Sequence, residues 1–183
     1  MARVRIHPPI QVDELTIREY RMDDLEQLDV AIVRNRDYLQ PWIGPWIQAE
    51  PIGLDARRVL LQSWVDSYET GADNPLGIFI GNELVGSTGL HDRNEPDDIE
   101  IGYWVDEAHQ GSGIALRVTA ALLKVAFDEP SVQRFLLIHK VENAKSRRVP
   151  ERLGFRIVPG EHTCSDADAT KWEFTRAMWD AQR

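Results

Sequence analysis

Residues Gln110-Gly111-Ser112-Gly113-Ile114-Ala115 place two glycines and a small hydroxyl where one periodicity gives way to another. Upstream, Asp98 to Val105 is rich in β-branched and aromatic residues and reads as a strand. Downstream, Leu116, Ala120, Leu123 and Phe127 recur at helical spacing. A turn that opens a helix leaves several backbone N–H groups without intrahelical partners, and the helix dipole adds positive potential there. Gly111 and Gly113 carry no Cβ, so an anion can come close to the main chain. Such a segment can cradle a phosphate or a pyrophosphate. The ordinary alternative is a glycine-containing turn between strand and helix. No Gly-Lys-Ser/Thr ending is present, which excludes a Walker A loop here. A dinucleotide fingerprint needs a small residue where Leu116 stands, because leucine blocks close helix–strand packing.

The same residues fit Gln/Arg-x-x-Gly-x-Gly/Ala, with Gln110, Gly113 and Ala115 in the marked places. That pattern resembles the acetyl-coenzyme A loop of the GNAT superfamily of N-acetyltransferases. The wider run from Glu100 to Gly113 is similar to the RimJ/RimL-type branch, which modifies ribosomal-protein N-termini. A second block, Val141 to Phe155, resembles the family's Asn-x-x-Ser…Leu-Gly-Phe segment and follows the apolar run Phe135 to Ile138. The two blocks stand in the family's order, and the resemblance extends from Leu15 to about Thr175.

The resemblance implies acetyl-CoA as cosubstrate, no metal, and transfer of an acetyl group to a primary amine by direct attack in a ternary complex. In the resembling branch the acceptor is a protein N-terminal α-amine, as on a ribosomal protein. A polyamine, amino-acid or antibiotic amine is the alternative acceptor. A non-enzymatic CoA-binding sensor is the alternative outside catalysis. Backbone groups of Gly111, Ser112, Gly113, Ile114 and Ala115 are then the cradle donors, with Gln110 contributing its side chain or adjacent backbone. Val105 would pair main-chain groups with the pantetheine arm as an added strand does.

Acetyl transfer needs a deprotonated amine, a held carbonyl and a proton for the departing thiolate. Glu100 is the first choice for the base, since a carboxylate within an apolar strand is costly unless paired or used. Strand alternation puts Glu100 and Trp104 on one face, with Gly102 between them and Tyr103 facing away. Its ordinary alternative is an ion pair or a solvated position. In the resembling branch, the residue matching Asn143 contacts CoA and the one matching Ser146 serves the sulfur as acid. The ordinary alternative is that both simply open a helix. Pro150 departs from the family pattern and removes the N–H that would bond the Ser146 carbonyl, so a kink or a shortened helix is expected. Tyr38, Trp42 and Trp46 are candidates for the acceptor pocket, where an indole face can hold an ammonium, or else they pin a loop. His91, His109 and His139 show no metal-ligand spacing, and His139 ranks second to Glu100 as base. Ser165, Asp166 and Asp168 lie where the branch keeps another carboxylate base.

The elements that must position these residues follow from period and punctuation. A first strand covers Thr16 to Glu19, and Asp23 or Asp24 caps a helix through about Arg36 with Leu25, Leu28, Ile32 and Val33 on one side. Pro41 to Ile47 should interrupt regular structure. A second helix runs from Asp55 to about Thr70, ended by Gly71, and Gly81-Asn82 joins a hairpin of Leu76–Ile80 and Leu84–Gly89. Strands at Ile99–Val105 and Arg134–His139, a helix at Ala144–Leu153 capped by Gly154, and strands at Arg156–Val158 and Lys171–Ala177 complete the chain. The expected fold is a single α/β (α+β) domain over residues 1–183, with a core from about Leu15 to Ala177. It has a mixed, largely antiparallel sheet flanked by helices. The resemblance adds that the strands bearing Val105 and Phe135 splay around acetyl-CoA.

Composition sets outer limits. A chain with 43% hydrophobic and 28% charged residues suits a folded globule. A formal charge of −9 disfavours a nucleic-acid partner and can steer a cationic amine or a basic protein tail. No apolar run approaches the ~20 residues that span a bilayer, so no membrane partner is expected. The single Cys164 excludes an internal disulfide and fits a reducing, cytoplasmic location, with nothing nearby to activate it. Exposed indoles at Trp42 and Trp46 leave both a monomer and a homodimer open.

Overall fold

A computed structural model of the chain describes residues 9–50, 52–70, 74–92, 97–159 and 168–182. Its strands are β1 (Ile10–Val12), β2 (Leu15–Glu19), β3 (Asn74–Ile80), β4 (Glu83–Asp92), β5 (Asp98–Val105), β6 (Arg134–Lys140), β7 (Arg156–Ile157) and β8 (Ala169–Thr175). Its helices are α1 (Leu25–Ala49), α2 (Leu54–Thr70), α3 (Ile114–Asp128), α4 (Ala144–Leu153) and α5 (Arg176–Asp180). Hydrogen bonding orders the strands β1-β2-β3-β4-β5-β6-β8-β7. The pairs β1–β2, β2–β3, β6–β8 and β7–β8 are antiparallel, and β5–β6 is parallel. This is the mixed, mainly antiparallel α/β architecture that the sequence implied. The chain divides into two compact units.

The first unit contains the described residues of His7–Gly89 and Tyr103–Ile114. Tyr20, Leu28, Ile32, Leu61, Phe79 and Trp104 meet in its core. Leu25, Leu28 and Ile32 of α1 face inward as expected, but Val33 is 56% exposed and lies off that stripe. The interruption expected within Pro41 to Ile47 takes the form of a kink between two helical stretches. Helical structure continues to Ala49, bent where Ile43 leaves helical geometry (φ −126, ψ 36). Pro45 falls in the first turn after that bend, where a missing N–H costs little. Arg36 donates to the Ile47 carbonyl at 2.8 Å and so satisfies an acceptor near the helix end.

Asp24 precedes α1 but does not cap it with its side chain. The carboxylate instead accepts from the Arg21 N–H, both terminal nitrogens of Arg18, and Gln27. Farther along, Arg57 of α2 is completely buried and pairs with Glu50, the residue ending α1, and with Asp29. Burial, helped by the nearby Arg36 charge, pulls its guanidinium below the usual pKa, although Asp29 favours the charge. β1 is a three-residue edge strand that the hydropathy pattern did not reveal.

The second unit contains the described residues of Leu90–Gly102 and Ala115–Arg183. Arg134 at the start of β6 grips Asp98 at the start of β5 through two bonds of 2.8 and 2.5 Å. The parallel ladder runs from Asp98↔Arg134 to Ile101↔Leu137, while β5 continues to Val105 and β6 to Lys140. Val118, Leu122 and Phe127 form the buried side of α3. Phe174 of β8 lies in a ring cluster with Phe127 and Phe155. Thr175 ends β8 and its hydroxyl accepts from the Met178 N–H, so Ala177 is helical rather than the end of a strand. Arg176 donates to the carbonyls of Phe127, Glu129 and Val132, which closes the C-terminal end of α3.

α4 spans Ala144–Leu153 and ends at Gly154 in the left-handed region (φ 80), as its residues predicted. The kink expected at Pro150 is absent. Pro150 is buried and stays within this ten-residue helix, with no N–H to bond the Ser146 carbonyl. Removing the central ring of the cluster tests its weight. Phe174→Ala is expected to lower the free energy of unfolding by ~3–5 kcal/mol, measured by urea denaturation.

Candidate functional site

The phosphate-type turn is built from the end of β5. Val105 closes the strand and Asp106 donates its backbone N–H to the Val85 carbonyl at 2.9 Å. A 3-10 turn over Glu107–His109 follows, capped by the Asp106 side chain accepting from Ala108 N–H. Gln110 Nε2 donates back to the Val105 carbonyl at 2.9 Å, and Ser112 Oγ donates to the His109 carbonyl at 2.6 Å. Gly111 and Gly113 have φ of 79 and 76, a conformation other residues adopt only with strain. A Cβ at either position would meet nothing within 4 Å. Glycine is therefore required by conformation, and the space above the turn is open to a ligand. α3 begins at Ile114, so its first-turn N–H groups, Ala115 included, lie at the end of this turn. A diphosphate fits that donor set. The Gln110 side chain is engaged with Val105, so this residue shapes the turn from behind.

Asp106 is the anchor of the turn. Burial works to raise its pKa, but hydrogen bonds from Asn35, the Ala108 N–H and Arg34 outweigh it and hold the carboxyl below its usual range. Asn35 is fully buried on α1 and was not visible as a functional residue from spacing alone. Its contact with Asp106 spans 71 residues of chain.

The second unit holds the acid–base candidates. Glu100 is half-buried and sits opposite Leu136 in the parallel ladder. A Cβ at Gly102 would come within 3.2 Å of His91 Nε2. The His91 imidazole therefore lies over Gly102, on the face that strand alternation gives to Glu100. His139 is buried and spoken for. Its Nδ1 lies 2.8 Å from the Lys140 carbonyl, which only accepts, so Nδ1 carries the proton. Its Nε2 then accepts from Trp172 Nε1–H at 2.9 Å. That bond occupies the lone pair a general base would use, which removes the second-choice role.

Asn143 Oδ1 accepts from the Ser146 N–H at 3.0 Å and caps α4. The helix-opening alternative is thus realised, and the cap also fixes the backbone of Ser146, whose residue is half-buried. Asp168 is exposed and its carbonyl accepts from Val141 N–H. Cys164, Ser165 and Asp166 lie outside the described residues.

The three aromatic candidates of α1 differ in exposure. Tyr38 packs against the buried core, and Trp42 is half-buried just before the bend. Trp46 is 40% exposed and lines a cleft of about 470 Å³ with Glu50, Val59, Leu60 and Trp64. Among the described residues, no cluster of three or more His, Cys, Asp or Glu side chains is placed to hold a metal ion. No helix among them is long and apolar enough to cross a membrane.

Comparison with known proteins identifies relatives of the chain. The family model for the acetyltransferase (GNAT) domain matches residues 14–156. The ribosomal-protein-serine acetyltransferase of Escherichia coli (strain K12) is 33% identical over 149 residues, covering 80% of this chain and 82% of that protein. Among solved structures, the RimL ribosomal L7/L12 alpha-N-protein acetyltransferase in complex with coenzyme A superposes with a TM-score of 0.77 at 23% identity. That match covers 91% of this chain and 97% of the other. The microcin C7 self-immunity acetyltransferase MccE, in complex with acetyl-CoA and AMP, superposes with a TM-score of 0.79 at 18% identity, covering 94% and 99%. At these identities the two structures establish a shared fold.

The environment of His139 makes a testable contribution to stability. Burial lowers its pKa below the ordinary histidine value, outweighing the backbone bond to Lys140 that acts the other way. The unfolded chain then takes up the proton more readily than the folded one. This stability is complete above the ordinary pKa of ~6.5 and is lost as pH falls through it toward the lower folded value. Urea titrations from pH 8 to 5 should show a shallower loss of stability for His139→Phe than for the wild type.

Proposed function

Because the chain belongs to the GNAT family of acetyltransferases, we propose that it transfers the acetyl group of acetyl-CoA to a protein N-terminal α-amine of the ribosomal-protein kind. The observation that carries the cofactor side of this reading is the pair of positive-φ glycines opening α3. The backbone N–H groups of Gly111, Ser112, Gly113, Ile114 and Ala115 hold the diphosphate, with Gln110 bracing the turn through Val105. The Val105 main chain pairs with the pantetheine arm. Acetyl-CoA supplies an activated acyl carbon and a thiolate leaving group.

Glu100 accepts the proton of the incoming amine through water, and the neutral amine then attacks the thioester carbonyl carbon. The carbon–sulfur bond breaks as the hydroxyl of Ser146 gives its proton to sulfur, and the second proton shed by the attacking nitrogen passes through water to the Ser146 oxygen. Asn143 holds the Ser146 backbone in the first turn of α4. Tyr38, Trp42 and Trp46 contribute to acceptor recognition. The formal charge of −9 favours a cationic acceptor and does not by itself distinguish a basic peptide from a small amine.

The direct test is incubation with acetyl-CoA and a mixed panel of basic N-terminal peptides, polyamines, amino acids and amine antibiotics, following free thiol and acceptor mass. One acetyl group gained by peptides, matched by thiol release, supports the reading. Gain confined to small amines moves the substrate class there, and CoA binding without transfer points to a sensor. In the peptide assay, Ser146→Ala is expected to lower kcat by ~10²-fold with CoA affinity nearly unchanged. Equal loss of both would refute the acid role. Glu100→Gln should remove the acidic limb of the pH dependence of kcat/KM, and an intact limb would move the base to another residue.

A further inference from the structure

Asn35 touches neither the turn glycines nor any candidate acid or base, yet each polar atom of its fully buried side chain is engaged. Nδ2 donates to the Ala31 carbonyl at 2.8 Å and to Asp106 Oδ2 at 2.9 Å, while Oδ1 accepts from Glu107 N–H at 2.8 Å. The first bond fixes the planar amide to its own helix, and the other two hold the turn. Asp106 repeats the arrangement from the opposite side, with Oδ1 on Ala108 N–H and Oδ2 facing Asn35 and Arg34. Two successive backbone N–H groups of the turn, Glu107 and Ala108, therefore hang on the side-chain oxygens of Asn35 and Asp106.

The order passes along the backbone toward the ligand side. His109 N–H bonds the Asp106 carbonyl at 2.9 Å and Gln110 N–H bonds the Glu107 carbonyl at 3.2 Å. Ser112 Oγ then takes the His109 carbonyl. Every residue that leads into Gly111 and Gly113 is thus referenced to the Asn35–Asp106 contact. Donors aimed at an anion are effective only when held in place before the anion arrives.

We propose that Asn35 and Asp106 form a positioning pair that sets the affinity for the acyl donor by fixing the anion-binding turn to α1. The inference rests on the reading of that turn as the pyrophosphate site. It assigns the pair no contact with substrate. Asn35→Asp keeps the acceptor for Glu107 N–H but sets two carboxylates against each other. The exchange Asn35→Asp with Asp106→Asn restores one donor and one acceptor in reversed order.

The full-length variants are compared by calorimetric titration with CoA, by KM for acetyl-CoA and for the acceptor, and by kcat, all well below each melting temperature. Asn35→Asp is expected to weaken CoA binding and raise KM for acetyl-CoA by roughly tenfold, the scale of one buried polar group left unmatched. The acceptor KM and kcat at saturation should stay within about twofold, and the exchange variant should recover most of the lost CoA affinity. Should Asn35→Asp fail to fold, Arg34→Ala removes a half-exposed donor from the same carboxylate, and it is expected to raise KM for acetyl-CoA in the same sense by less. Unchanged CoA affinity in a folded variant with a lowered melting temperature would overturn the positioning role and leave the pyrophosphate reading intact. Failure of the wild type itself to bind CoA would overturn both.

Discussion

A carboxylate with 1% of its side-chain surface exposed stays ionised only if donors surround it, and Asp106 gathers its donors from two directions. Asn35 and Arg34 reach it from α1, and Ala108 N–H reaches it from the turn that follows β5. The turn cannot drift without uncovering a buried charge. The left-handed glycines and the start of α3 come next along the chain.

The second unit achieves position by caps rather than by a buried charge. Asn143 begins α4 and Gly154 ends it, so Ser146 sits in a helix whose limits are set at both ends. Arg134 and Asp98 fix where the parallel ladder starts, and hence the level of Glu100 along β5. Arg176 satisfies the carbonyls where α3 ends.

How much of this was legible in the sequence depends on range. The turn at Gln110 to Ala115 and the limits of α4 were readable because glycine conformation and capping act over a few residues. The interruption in Pro41 to Ile47 was legible because proline acts locally, but the helical stretch that resumes beyond Ile43 and runs to Ala49 was not. Ala177 was placed in a strand because hydropathy does not register the cap that Thr175 supplies. Asn35 was invisible because its partners in the turn, Asp106 and Glu107, lie more than seventy residues away and a polar residue on an amphipathic helix looks solvated. His139 looked like a base until its neighbours fixed its tautomer and occupied its lone pair.

The central claim is that the backbone amides opening α3 receive the diphosphate of the acyl donor. Amide chemical shifts of the isotope-labelled protein, followed during titration with CoA and separately with pantetheine, test it most directly. The predicted result is that Gly111, Ser112, Gly113, Ile114 and Ala115 shift strongly with CoA and little with pantetheine, which lacks the diphosphate. Saturating CoA binding that leaves those five amides unmoved would contradict it.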